Sequence, residues 1–307
     1  MQGVRNYSMN STQRLISGFF ALSLPSIFMC SAWSGELREP EKGRKIKVFI
    51  LAGQSNMEGR ADGKKLTPRD KKRLRKVQGR VQIAFNYEPI GELDVVKPPE
   101  EIGAIYKREF IFGPELFFGI ALAETWPDEK ILLIKRTEGA TSLHGCWNSD
   151  WSEDKAAAMG EEHEPKLYTE LITYVKQVLS GYRRDEYEIC AFLWVQGETD
   201  TKNETAAAEY GNNLRNFVTH IRNDMGDTRL PFILFQVGYG KVVEGMKQVE
   251  QELPYVTLIP QSIDPLSKEF YQKMGNGHYN YAGMKKLGGR FASLFLNQPI
   301  EKYDTVE

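Results

Sequence analysis

Apolar residues recur along this chain in two rhythms. Short runs at Lys45 to Leu51, Val81 to Phe85, Ile131 to Ile134, Ile189 to Val195, Phe232 to Val237 and Val256 to Ile259 predict strands. Between them lie stretches with helical spacing. Leu214, Phe217, Val218 and Ile221 fall at i, i+3, i+4 and i+7, and Leu167, Leu171, Ile172, Val175, Val178 and Leu179 mark a second amphipathic stripe. Further helices are expected from Gly113-Pro114-Glu115 onward, between Val242 and Glu252, and from Tyr281 through Phe295. Parallel strands need crossover connections, so strands alternating with helices predict an α/β fold with helices on both faces of a mainly parallel sheet. Ligands of such folds bind beyond the carboxyl ends of the strands.

Three stretches break the pattern. The Pro- and Gly-containing region from Pro89 to Phe112 reads as a long loop, of the kind that builds clefts. Lys64 to Arg80 is dominated by Lys and Arg, which reads as a solvated helix face or loop or, alternatively, as a surface for an acidic polysaccharide. At the start, Arg5 and Arg14 precede an apolar stretch from Leu15 through Met29, followed by Ser31, Ala32, Ser34 and Gly35. This is the arrangement of a secretory signal peptide over 1–34, and Ser17, Gly18, Ser23, Pro25 and Ser26 argue against a permanent membrane anchor. Export is therefore expected, with no stable membrane insertion after cleavage. Ile27-Phe28-Met29 lack the small side chains that would make Cys30 a lipidation site.

At 307 residues the chain can bury a large core, and 41% hydrophobic and 26% charged residues are those of a globular protein. A formal net charge of −1 gives no electrostatic case for nucleic acid. After cleavage Cys146 and Cys190 would remain, able to form one bridge, although the apolar run around Cys190 favours a buried free thiol. No CxxC or Cys/His cluster has metal-ligand spacing, so no structural zinc site is expected.

The candidate chemistry lies in three blocks. Gly53-Gln54-Ser55-Asn56-Met57 puts a serine in a glycine-flanked turn directly after a strand, Gln196-Gly197-Glu198-Thr199-Asp200 follows another strand, and Gly277-His278-Tyr279-Asn280 precedes the last helix. A serine hydroxyl attacks a carbonyl only when a base takes its proton and fixed donors stabilise the oxyanion. Together the blocks resemble the SGNH-type esterases, specifically the sialate O-acetylesterase and acetylxylan esterase group, carbohydrate esterase family 6. The likeness runs from about Lys45 to Phe295, within a domain placed at 45–298.

That resemblance implies a three-layer α/β/α sandwich, flavodoxin-like, and a two-step hydrolysis of O-acetyl groups from carbohydrate that needs no metal or other cofactor. It makes Ser55 the nucleophile and His278 the general base, with oxyanion donors at Ser55, Gly139 and Gln196. Gln54, Asn56 and His144 are expected to line the substrate site. Of the other histidines, His163 lies in an acidic run and His220 flanks an apolar stripe. The chain departs from the family pattern twice. Gly139-Ala140-Thr141-Ser142 stands for Gly-Gly-Thr-Ser, and the aspartate usual three residues before the histidine is Gly275. Glu198 is the substitute acid that the resemblance suggests, with Asp264 and Asp200 as alternatives. The runner-up function is a catalytically weak or inactive carbohydrate-binding protein on the same fold.

Overall fold

The computed structural model describes residues 44–297. The expected leader lies outside them. Its strands are β1 (Ile46–Gly53), β2 (Ala61–Asp62), β3 (Val81–Phe85), β4 (Gly91–Glu92), β5 (Ile111–Phe112), β6 (Ile131–Thr137), β7 (Tyr187–Val195), β8 (Phe232–Phe235) and β9 (Val256–Ile259). Seven of them form one sheet in the order β4-β3-β6-β1-β7-β8-β9, parallel throughout except for the antiparallel edge strand β4. The short β2 and β5 pair separately. Central β1 is buried on both faces from Val48 to Ala52, which is why it reads as a continuous apolar run and not as an alternation.

The helices are α1 (Ser55–Glu58), α2 (Pro68–Val77), α3 (Glu100–Tyr106), α4 (Pro114–Thr125), α5 (Glu153–Met159), α6 (Leu167–Leu179), α7 (Glu204–Met225), α8 (Lys241–Glu252) and α9 (Tyr281–Phe295). On one face Phe49 of β1 meets Phe118 of α4 and Phe295 of α9 edge-on, at 5.1 and 4.9 Å between ring centroids. On the other, Phe192 and Trp194 of β7 pack against Phe217 of α7. The sheet is thus the middle of three layers, as the periodicity predicts. Among the described residues no helix is long and apolar enough to cross a membrane.

Two stretches gain detail that the sequence does not give. The basic run is the amphipathic helix α2, N-capped by Thr67; its buried Asp70 receives Lys285 at 2.9 Å and Tyr281 from α9, while Arg69, Lys71 and Lys72 face outward. The expected loop from Pro89 to Phe112 contains α3 and is closed by two backbone bonds between Val96 and Ile111, of 2.9 and 2.8 Å. Cys146 is buried and Cys190 half-buried, both as free thiols. Burial pushes the Cys190 thiol up to about 12, consistent with an inert packing role.

Candidate active site

Register brings the blocks together. Gly53, the last residue of β1, pairs with Thr137 at the end of β6 and with Val195 at the end of β7. The turns that follow these three strands therefore leave the sheet level with one another. Gly53 itself has φ of +144°, and a Cβ there would lie 2.1 Å from the Val195 carbonyl oxygen, so only glycine lets the two strand ends approach.

Ser55 opens α1, and its Oγ lies 2.9 Å from Nε2 of His278. The imidazole belongs to the loop before α9. Burial, with the Arg60 guanidinium nearby, lowers the His278 pKa to about 4, so the ring is neutral at ordinary pH and able to accept a proton. Its other nitrogen, Nδ1, lies 3.2 Å from the Tyr106 hydroxyl at the end of α3. Gly139 sits beside the serine: a Cβ built on it would be 3.9 Å from Ser55 Cβ and 3.4 Å from Arg60 Nη2. Neither the Ser55 nor the Gly139 backbone N–H has a protein acceptor among the described residues.

Glu198 is present in the site but does not hold the imidazole. Its Oε1 accepts from Asn56 Nδ2 at 2.7 Å, and Asn56 Oδ1 in turn accepts from the backbone N–H of Tyr279 at 3.2 Å. The carboxylate thus reaches the histidine loop through Asn56. Its Oε2 is buried without a hydrogen-bond partner among the described residues, and burial raises the carboxyl pKa.

Gln196 and Asp200 form a second network beneath the serine turn. The Gln196 amide donates to Asp200 Oδ2 at 2.5 Å and to the Thr141 carbonyl at 3.0 Å, with Gln54 Oε1 at 3.3 Å, so both its hydrogens already have acceptors. Asp200 also accepts the backbone N–H groups of Leu143 and His144, both at 2.9 Å. Burial still pushes the Asp200 pKa up to about 7. Gln54 Oε1 takes the Gly197 and Thr199 N–H groups at 3.4 Å. His144 is buried, with Nδ1 3.4 Å from Asn213 and from Glu209, and burial lowers its pKa. Asp264 is exposed, caps its own turn through the Leu266 N–H, and takes no part in either network.

Arg60 and Glu58 belong to the site although no sequence pattern marks them. Both are buried and paired at 2.8 Å, and Arg60 Nε has no hydrogen-bond partner among the described residues. Charged residues at a turn ordinarily read as surface, and only their place directly after the serine block marks them. A groove of about 1190 Å³ begins at Glu58 and runs between Asn86 and the segment around Pro99. Its rim is acidic. Among the described residues Glu88, Glu92, Asp94 and Glu100 have no ion-pair partner and neither has Lys97, whereas Arg108 is drawn to Asp62 and Glu109 to Lys64.

The family model for carbohydrate esterases described as sialic acid-specific acetylesterase matches residues 45–297. The chain belongs to this family. It is an esterase acting on acetyl esters of carbohydrate. Among solved structures, a protein from Arabidopsis thaliana superposes with a TM-score of 0.59 at 20% identity, over 82% of this chain and 98% of that one. The protein NanS superposes at 0.57 with 14% identity, over 82% and 97%. XAC1771, described as a novel carbohydrate acetylesterase from Xanthomonas citri, superposes at 0.52 with 18% identity, over 80% of this chain and 55% of that one. At these identities the likeness carries the fold of the esterase and nothing finer. Comparison with curated proteins by sequence gives no match.

Proposed function

We propose that this esterase releases acetate through a Ser55 nucleophile and a His278 base, and that its substrate is an acetylated glycan chain. The observation that carries the reading is the 2.9 Å contact between Ser55 Oγ and His278 Nε2, in a turn level with two other strand ends. Ser55 Oγ attacks the acetyl carbonyl while Nε2 takes its proton, and the backbone N–H groups of Ser55 and Gly139 receive the oxyanion. The same proton then passes to the departing sugar oxygen. Water, deprotonated by the same ring, attacks the acetyl-serine; the bond from the acetyl carbon to Ser55 Oγ breaks, the ring returns its proton to that oxygen, and acetate leaves. Gln196 acts in this scheme by holding Asp200 and Thr141, and Glu198 by holding Asn56 and so the histidine loop.

The groove favours a neutral glycan over an anionic sugar, because the unpaired carboxylates of Glu88, Glu92, Asp94 and Glu100 outnumber Lys97 and would repel a substrate carboxylate. Acetate release from a panel of acetylated glycans tests this reading. Ser55→Ala is expected to lose at least about 1,000-fold in turnover, and an active-serine phosphonate should label Ser55. No release from any glycan and no labelling would end the catalytic reading, and faster release from acetylated sialic acid than from neutral oligosaccharides would overturn the choice of substrate. Export through a leader at 1–34 belongs to the same proposal, and an intact Met1 on protein from the native host would refute it.

A further inference from the structure

A serine esterase base needs a fixed tautomer. For Nε2 to accept the Ser55 proton, the ring proton must sit on Nδ1, and that Nδ1–H needs an acceptor to hold it there. The three residues before His278 are Gly275, Asn276 and Gly277, and none carries a carboxylate. Among the described residues none of the other candidate acids bonds to Nδ1, although Glu198 keeps one buried oxygen without a donor. Glu198 accepts from Asn56, Asp200 accepts from Gln196, Leu143 and His144, and Asp264 is exposed in its own turn. What stands at Nδ1 is the Tyr106 oxygen, at 3.2 Å.

We propose that Tyr106 is the positioning residue of the base: its hydroxyl oxygen accepts the Nδ1–H of His278 and so fixes the tautomer in which Nε2 receives the Ser55 proton. This rests on the reading of Ser55 and His278 as nucleophile and base. Tyr106 is placed for the task by its own segment. Glu100 and Glu101 occupy the first turn of α3, where the helix dipole favours acids, and the helix stops at Lys107 with φ of +53°, leaving Tyr106 as its last residue. The Val96–Ile111 bonds close the segment at its base. The ring is held from two sides, with the Arg60 guanidinium 5.6 Å from its centroid and the His278 ring edge-on at 5.5 Å with an interplanar angle of 85°.

A neutral hydroxyl differs from a carboxylate in one respect that bears on the chemistry. It fixes the ring without stabilising the imidazolium. The groups facing His278 are accordingly the Ser55 hydroxyl, the Tyr106 hydroxyl and the Arg60 cation, and the low pKa of the ring agrees with the lack of a facing anion.

The test compares wild type with Tyr106→Phe, which keeps the ring and its packing and removes only the oxygen. Imidazole nitrogen resonances of histidine-labelled protein should show His278 protonated at Nδ1 in the wild type and a mixture of tautomers in the variant. Turnover of an acetylated oligosaccharide should fall by about 10- to 100-fold with KM nearly unchanged. Tyr106→Leu, which also loses the ring, should show the same tautomer change with a larger loss. Wild-type protein protonated at Nε2, or a Tyr106→Phe variant with unchanged tautomer and unchanged turnover, would overturn the proposal. If wild type released no acetate, the reading of the site would fall on its own, and the nitrogen resonances would still decide what Tyr106 does to the ring.

Discussion

Ser55 leaves a strand whose two neighbours end level with it, and the turn around it is tied by buried bonds through Gln54, Gln196 and Asp200; His278 rides on a loop whose residues from Gly275 to Gly277 are exposed. The serine half inherits its precision from the sheet. The histidine half has to be held from outside. It is held at three points: Tyr279 buries its ring against Phe235 and Tyr271, Asn56 takes the Tyr279 N–H, and Tyr106 meets Nδ1. In the proposed roles, Ser55 as nucleophile needs only to be presented, whereas His278 as base must be presented with the right nitrogen forward. The two halves therefore answer to different kinds of constraint.

Breaking the serine half should have the largest effect on the molecule as a whole. Asp200→Ala leaves the buried N–H groups of Leu143 and His144 without their acceptor, at about 1–3 kcal/mol each. Denaturant unfolding should show a loss of at least about 2 kcal/mol, with turnover falling as the 139–144 turn loosens. The relief of removing a buried carboxylate works against this, and a variant as stable as wild type would mean that relief wins.

The link between the halves is Asn56. Asn56→Ala removes both the Tyr279 anchor and the donor to Glu198, and misplacing the base by about an ångström lowers turnover by about 100-fold. Glu198→Gln keeps an acceptor for Asn56, so its loss should stay within about 10-fold. Steady-state rates of the two variants sharpen the comparison. A Glu198→Gln loss as large as that of Asn56→Ala would give the carboxylate a role of its own at the imidazole.

The same contrast explains what could be read in advance. Every strand of the main sheet except the two-residue edge β4 announces itself as an apolar run, and the Leu167 and Leu214 stripes match α6 and α7, because burial against a sheet imposes a period. The Ser55, Gln196 and His278 blocks follow strands or precede a helix, so their convergence also follows from topology. Tyr106 does not. It lies 172 residues from His278, on a short and half-exposed helix with no apolar period, inside a stretch expected to be loop. The engagement of Gln196 was equally invisible, since amide chemistry alone does not say which acceptors a buried amide will meet. Arg60 and Glu58 carry no such signal, because their pairing, not their type, puts them inside.

The histidine half should also show itself in the pH profile. With the His278 pKa lowered to about 4, the neutral, proton-accepting ring persists as pH falls from 7 to 5. Below about 4 protonation at Nε2 removes the base, and kcat/KM should drop about tenfold per pH unit. A profile already falling near pH 6.5 would mean that an anion reaches the ring after all.

The smallest effect is expected where the chain departs from the family pattern without changing the chemistry. Ala140 stands where a second glycine is usual, and it adopts φ of +61° in an exposed turn beside Gly139. For an L-residue with a Cβ this conformation costs roughly 1 kcal/mol, and glycine avoids that strain while adding entropy to the unfolded chain worth about 0.4–1 kcal/mol. The two effects oppose each other, and the strain is the larger. Ala140→Gly should therefore stabilise the protein by up to about 0.5 kcal/mol, a shift in Tm of about 1–2 °C at this size. Because Ala140 is exposed, the change removes no buried contact, and the Gly139 N–H keeps its place beside Ser55. Turnover should stay within about twofold. A clear loss of stability would show that the turn takes another conformation with alanine, and a large gain in turnover would show that the alanine had been holding the Gly139 donor away from the oxyanion.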